Sequence, residues 1–137
     1  MILFASLAAA LALQGGWTWT LYEGDGPLVL AHEIPDTPQL KSTLECQPGS
    51  GVARLSLYDG PLRTGFATLT AGTASATAQA ADENGHQALA LRTDHPIFAQ
   101  FAVAGVLDVT VGGVRRSVEV PPAHRPKLRR FAELCTG

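Results

Sequence analysis

Charged residues are scarce in this sequence. They make up 16% of the 137 residues, while 46% are hydrophobic, a balance that is too apolar for an intrinsically disordered chain. The hydrophobic residues are dispersed, and no apolar run is long enough to cross a bilayer. We therefore predict a globular protein, and its length fits one domain with a single core.

Catalytic sequence motifs are absent. The chain has no Gly-x-Ser-x-Gly nucleophile elbow, no His-Glu-x-x-His motif, no Walker loop and no dinucleotide-binding fingerprint. The four histidines, His32, His86, His95 and His124, do not have the spacing of metal ligands. We expect no metal, no cofactor and no enzyme. A small secreted hydrolase is the alternative, and it would need a histidine and a carboxylate within hydrogen-bond reach of a hydroxyl.

No lysine or arginine precedes Lys41, although a secretory signal peptide normally begins with a basic segment. The N-terminal apolar run nevertheless ends in Ala10-Leu11-Ala12, which places small residues at the −3 and −1 positions. We predict a signal peptide over residues 1–12 and one mature domain over residues 13–137. A twelve-residue helix is only about 18 Å long, too short for a transmembrane span, and no nearby cysteine suits a lipid anchor. The alternative is a buried strand or helix of the mature fold.

Short stretches of alternating apolar residues recur from Trp17 onward between glycine, proline and aspartate residues. This pattern predicts an all-β, mostly antiparallel sandwich of about 8–10 short strands. The clearest hairpin covers residues 106–120, where a two-residue turn at Gly112-Gly113 pairs Val109 with Arg116. The apolar stem of Arg116 is expected to lie on the sheet while its guanidinium reaches water.

Residues 68–81 consist mainly of alanine, threonine and serine, which alternate along the chain. The alternation favours one flat strand of small side chains. Such a strand either packs closely on a neighbouring sheet or forms an exposed ledge for a partner. Asp94-His95-Pro96 is expected to begin a further strand at a turn, since no long helical pattern precedes the C-terminal segment.

A helix is predicted over residues 125–135, with Pro126 at its start and Cys135 on its apolar face. The other cysteine, Cys46, faces inward on a predicted strand over residues 40–46. A helix that covers the sheet brings the two together, so a disulfide is expected in an oxidising compartment. The protein is therefore predicted to be periplasmic or secreted. Two buried free thiols are the alternative.

Charge is unevenly distributed along the chain. Residues 1–112 carry four basic and ten acidic residues, whereas residues 113–137 carry six basic and two acidic ones. The basic C-terminal segment either docks on the acidic body of the same molecule or binds an anionic glycan or lipid. The second interpretation depends on a set of four basic residues, namely Arg125, Lys127, Arg129 and Arg130. Nucleic acid is not an expected partner, because the whole chain is acidic and has no recognition motif.

Trp17 and Trp19 share one face of a predicted strand, and Tyr22 lies on the other face. Two indoles at this spacing either form a stacking platform or protein anchor, or fill the core of a sandwich. If exposed, they are candidate binding residues.

Three short segments resemble a known family. The segments are Leu44-Glu45-Cys46, residues 105–109 and the closing Phe131-Ala132-Glu133-Leu134-Cys135 helix. In these segments the chain is similar to small periplasmic two-cysteine β-sandwich proteins of Gram-negative bacteria, of the invasion-associated locus B type. The resemblance implies a compartment and a fold, and it carries over no functional residues.

These features together predict a non-catalytic binding or accessory protein of the cell envelope. The expected partner is another protein, bound through the two tryptophans or the edge of the alanine-rich strand.

Overall fold

The computed structural model describes residues 16–137. The predicted signal peptide and its cleavage site lie outside the described residues. The strands are β1 (Thr18–Tyr22), β2 (Leu28–Glu33), β3 (Leu40–Cys46), β4 (Val52–Leu57), β5 (Gly65–Ala71), β6 (Ala74–Glu83), β7 (His86–Arg92), β8 (Val106–Val111) and β9 (Val114–Glu119). The helices are α1 (Pro96–Ala104) and α2 (Arg125–Thr136), with a 3-10 turn (Pro122–His124) before α2.

The nine strands form one antiparallel sheet in the order β1-β2-β3-β4-β7-β6-β5-β8-β9. The sheet curls until its first and last strands meet, where the indole Nε1 of Trp19 donates to the carbonyl oxygen of Glu119 at 3.2 Å. Side chains from both halves of the sheet and from both helices fill one core, with Phe98, Phe101 and Phe131 among the largest. The predicted all-β, sandwich-like fold is therefore confirmed.

The predicted strand register is also confirmed in two places. β3 begins and ends where the alternation predicted, and Leu44 and Cys46 are buried in the core. The β8–β9 hairpin turns at Gly112-Gly113 and pairs Val109 with Arg116. Both turn glycines have positive φ angles, of 57° and 77°, which explains why glycine is suited to each position.

The Arg116 guanidinium is less open to water than the sequence pattern predicts. Its side chain is only 13% exposed, and the guanidinium lies 3.4 Å from the Asp59 carboxylate and 3.5 Å from the Pro61 carbonyl oxygen. The loop after β4 closes over this end of the hairpin, and a Cβ on Gly60 would lie 3.2 Å from the guanidinium. Burial lowers the pKa of Arg116 from its usual value.

The prediction of one strand over residues 68–81 is wrong. Two strands cover this stretch, β5 and β6, joined by a turn at Gly72-Thr73 that pairs Ala71 with Ala74. The alternating composition continues through the turn, so it gave no signal of the reversal. Gly72 has a φ of 56°, and a Cβ there would lie 2.3 Å from Oε1 of Gln100. The positive φ favours glycine at this turn, and a larger residue would displace the Gln100 side chain.

Asp94-His95-Pro96 begins a helix, α1, and not the predicted strand. Nδ1 of His95 accepts a hydrogen bond from the backbone N–H of Ile97 at 3.0 Å, and Pro96 occupies the first turn, where a missing N–H is harmless. The helix packs against β5, β6 and α2 through Ile97, Phe98, Phe101 and Ala102. Its exposed side is apolar as well, since Ala99 and Val103 lie there. An amphipathic period was absent for that reason.

Gly105 is the point where three elements meet. Its N–H ends α1 by donating to Phe101 O at 2.7 Å, and its own carbonyl accepts the N–H of Val120, which follows β9. The carbonyl of Val120 in turn accepts Nε of Arg125, the first residue of α2. A Cβ on Gly105 would lie 2.4 Å from Val120 O, and φ is 76°, so no other residue fits without strain.

The predicted C-terminal helix and its disulfide are confirmed. α2 buries Leu128, Phe131 and Cys135, and Cys135 is bonded to Cys46 of β3 with the two Cα atoms 5.8 Å apart. The last turn of the helix is also hydrogen-bonded to the loop after β3, since the carbonyls of Leu134 and Cys135 accept the N–H groups of glycines in that loop. The helix is thus fixed to the sheet at its C-terminal end.

Candidate functional site

Trp17 and Trp19 do not form a shared exposed platform. Trp19 is 2% exposed and belongs to the core, whereas Trp17, just before β1, is 40% exposed. The ring of His32 on β2 lies between them, 4.7 Å from Trp19 and 5.5 Å from Trp17. The ammonium of Lys41 lies 4.5 Å from the centre of a Trp17 ring. Trp17 is the one of the two indoles that solvent reaches.

Tyr22 is exposed at the end of β1 and is held by one neighbour. Its hydroxyl donates to the carboxylate of Glu33 on β2. This hydrogen bond raises the pKa of Tyr22 from its usual value. The phenol is therefore fixed against the sheet and separated from the two indoles.

Three of the four predicted basic site residues are bonded within the molecule. The Lys127 ammonium donates to the carbonyl of Trp19 at 2.7 Å, and Nε of Arg125 donates to the carbonyl of Val120 at 3.2 Å. Arg130 forms two bonds of 2.8 Å to the carboxylate of Glu23, which lowers the pKa of that carboxyl. These contacts favour the interpretation that the basic segment docks on its own body.

Arg129 differs from the other three. It is exposed on α2, and no acceptor within residues 16–137 receives a hydrogen bond from it. Of the four candidate cations, only Arg129 would therefore meet an anionic glycan or lipid without an existing hydrogen bond to residues 16–137.

The four histidines occupy separate places. His95 caps α1, His86 stacks on Tyr58 with ring centres 4.3 Å apart, and His124 lies 3.2 Å from the Lys127 ammonium. Among the residues that the structure describes, no three metal-ligating side chains are grouped.

A polar cleft of about 450 Å³ brings His32, Ser42 and Asp59 to one place, beside Arg116. His32 and Ser42 are register partners on β2 and β3. Nevertheless no hydrogen bond in the described part of the chain joins the imidazole, the hydroxyl and the carboxylate. Burial, followed by the charge of nearby Lys41, lowers the pKa of His32. The hydrolase alternative therefore has its residue types near one another without the hydrogen bonds that would link them.

A second cleft lies where the sheet is interrupted. β6 and β7 form a hairpin around Asn84-Gly85, and their pairing ends at Ala81 with Ala88. Beyond that pair β6 follows β5, while β7 follows β4. We call the gap between residues 74–80 of β6 and residues 89–92 of β7 the β6–β7 split.

The backbone of β6 presents free hydrogen-bonding groups to this split. In antiparallel strands, alternate residues direct both their N–H and their C=O toward the same neighbour. The two-residue turn at Gly72-Thr73 sets this alternation, so that Ala74 and every second residue after it bond to β5. Ser75, Thr77 and Gln79 therefore direct their backbone groups into the split.

The backbone of β7 faces the split in the same way. The N–H of Thr93 donates to Gly51 O at 3.0 Å, beside β4. By the same alternation the backbone of Leu91 bonds to β4, and the backbone groups of the intervening residues are directed into the split. These residues are Ala90 and Arg92. The Arg92 carbonyl accepts the N–H of His95 at 3.3 Å. The groups of β7 that remain directed into the split are the Arg92 N–H and the N–H and C=O of Ala90. Within residues 16–137 no backbone partner is found for these groups or for those of β6.

The split opens into a cleft of about 530 Å³ whose wall residues are small, hydroxylated or apolar apart from Arg92 and His95. The wall residues include Thr68, Thr77, Ala78, Ala90, Leu91 and Ile97. Arg92 is the charged wall residue, and it forms two bonds of 2.8 Å to Asp94 that raise its pKa. The cleft thus offers backbone donors and acceptors with little net charge.

The sequence located one half of this site. The edge of the alanine-rich strand was a candidate surface, and the split-facing residues of β6 belong to that strand. Ala90 and Arg92 on β7 were missed, because their position opposite β6 depends on the strand order and on the place where the pairing ends.

Comparisons with known proteins found no matching family model, curated protein or solved structure. The resemblance to the invasion-associated locus B type therefore stays a prediction. None of the helices within residues 16–137 has the length and apolar character needed to span a bilayer.

Proposed function

We propose that this protein is a non-catalytic binding module of the cell envelope, periplasmic or secreted, that recognises another protein at the β6–β7 split. The observation that carries the proposal is the interrupted pairing, which leaves backbone groups of β6 and β7 without partners among residues 16–137, beside a cleft. Unpaired strand edges are the usual templates for association with another chain. The Cys46–Cys135 disulfide supports the compartment, since such bonds persist in oxidising surroundings.

The basic helix gives less support to a glycan or lipid partner. Lys127 and Arg125 already donate to carbonyls of the same chain, and the charge of Arg130 is paired with Glu23, so fewer donors remain for a ligand. Added salt also weakens the binding of anionic ligands to basic side chains. Binding at the β6–β7 split depends instead on backbone groups and small side chains, so we expect it to resist salt.

A photocrosslinking experiment tests this function. A benzoylphenylalanine placed at Gln79, exposed on β6 beside the split, is irradiated in envelope extracts of the source organism at low and high salt. A second protein carries the same group at Ala123, an exposed alanine on the 3-10 turn. We expect a discrete polypeptide adduct from the Gln79 position at both salt concentrations, and none from the Ala123 position.

Two lysine substitutions complete the test. Ala90→Lys places a charged chain at the split, and Ala123→Lys adds the same charge elsewhere. Ala90→Lys is expected to lower the affinity for the purified crosslinked partner about tenfold or more. Ala123→Lys is expected to leave that affinity unchanged. An adduct with lipid or glycan, or a partner that binds Ala90→Lys normally, would contradict the proposal.

A further inference from the structure

We infer that the partner supplies an extended segment that adds a strand to β6 inside the β6–β7 split. This inference rests on the proposed function and specifies the chemistry of what is bound. It is supported by the backbone groups of the two edges, the charge of the walls and the contacts at the sheet's outer edges.

β6 offers the longer of the two open edges. Ser75, Thr77 and Gln79 each present one N–H and one C=O, so three alternate residues stand ready for pairing. β7 presents both groups of Ala90 and only the N–H of Arg92. A regular row of alternating donors and acceptors is complementary to another extended backbone, which carries the same groups at the same spacing. A strand is therefore the occupant that can satisfy all three residues of β6 at once.

The walls specify the side chains of that segment. Hydroxyl and methyl groups line the cleft, and its cation, Arg92, is already held by Asp94 at two positions. A charged side chain directed at these walls would lose water without gaining a partner of opposite charge, which is unfavourable. The segment consequently has small or uncharged residues at the positions that face the cleft, at every second residue.

A second copy of this chain is a poorer occupant than a different protein. An added strand needs a free edge that can enter the cleft of its partner. The open edge of β6 lies inside its own cleft, opposite β7. At the outer edges, Lys127 donates to the carbonyl of Trp19 on β1, and the indole of Trp19 donates to the carbonyl of Glu119 on β9. Pairing two copies would require one of these edges to be released. The occupant is therefore a segment of another protein.

The test uses ten-residue peptides selected from a displayed random library on the oxidised, full-length protein. Backbone amide hydrogen exchange is then measured by NMR with and without a selected peptide. We expect the amides of Thr77 and Gln79 to exchange more slowly by about tenfold or more when peptide is bound. The amides of Ala76 and Ala78 already bond to β5, so their exchange is expected to stay the same.

A matched pair of variants gives a second readout. Thr77→Pro removes a split-facing N–H, whereas Thr77→Val keeps the N–H and a similar side-chain shape. Peptide affinity is expected to fall about tenfold in the proline variant and to stay near the original value in the valine variant. The exchange measurement needs no variant, so it decides the matter even if Thr77→Pro does not fold.

The outcomes separate the two proposals. If the photocrosslinked partner depends on Ala90 but neither it nor any peptide slows exchange at Thr77 and Gln79, strand addition is wrong and the proposed function stands. If no polypeptide is crosslinked at Gln79, the proposed function fails, and the inference fails with it. Selected peptides rich in charged residues at alternate positions, or self-association of the protein through β6, would also overturn the inference.

Discussion

The outer edges of the sheet and the β6–β7 split differ in whether their backbone hydrogen-bonding groups have partners. At the outer edges, carbonyls of β1 and β9 accept hydrogen bonds from Lys127 and from the indole of Trp19. At the split, the backbone of Ser75, Thr77 and Gln79 has no such partner in the described chain. Hydrogen bonds at the outer edges hinder pairing with other chains there. We therefore expect another chain to bind at the inner edge, whose backbone groups are open.

The largest expected effect comes from the disulfide, which holds α2 against the sheet beside the covered edge β1. The bond joins residues 89 apart, and the chain-entropy relation gives about 4.6 kcal/mol for a loop of this length. A Cys46→Ala, Cys135→Ala double variant should lose up to that much free energy of unfolding in urea titrations. Arg129→Ala, an exposed change on the same helix, is the control and should leave stability unchanged. A double variant as stable as the original would show that α2 needs no covalent tie.

The next effect compares two alanines of β7 whose N–H groups both point toward β6. Ala88 is paired with Ala81, whereas Ala90 faces the split. Ala88→Pro should cost about 3 kcal/mol, because it removes a ladder bond and leaves a carbonyl unpaired. Ala90→Pro removes no such bond and should stay within about 0.5 kcal/mol of the original. Thermal unfolding measures both, and equal losses would mean that the Ala90 N–H is bonded within the fold.

The smallest effect concerns a single edge contact. Lys127→Met keeps most of the side-chain length but removes the bond to the Trp19 carbonyl. We expect a loss of about 1.5 kcal/mol and a concentration-dependent increase in self-association, since the edge of β1 becomes available. Sedimentation velocity detects the second effect. Arg130→Met, which removes the exposed pair with Glu23, is the matched control and should remain monomeric.

Local patterns predicted those parts of the fold that local chemistry determines. The alternation in β3 and the Gly112-Gly113 turn gave correct strands and register, and the apolar face of α2 placed Cys135 opposite Cys46. These features need only nearest-neighbour rules of side-chain direction and turn geometry. They were therefore readable from the sequence.

The errors arose where tertiary packing overrides a local pattern. α1 consists almost entirely of apolar residues, including the exposed Ala99 and Val103, and has no polar face to mark it as a helix, so the sequence pattern predicts a strand at Pro96. The hairpin at Gly72-Thr73 was missed because the same small residues continue on both sides of the turn. The sequence pattern predicts an exposed Arg116 guanidinium because the loop that partly covers it lies 55 residues earlier in the chain. The β6–β7 split combines all three difficulties, since it depends on which strands become neighbours.

Gly105 has a consequence for how the molecule comes apart. Because its N–H and C=O connect the end of α1 to the residue that follows β9, and that residue in turn binds the start of α2, a disturbance at this one backbone position reaches three elements at once. The curled sheet and its C-terminal helix should accordingly unfold in a single cooperative transition, without an intermediate in which the helix alone has detached.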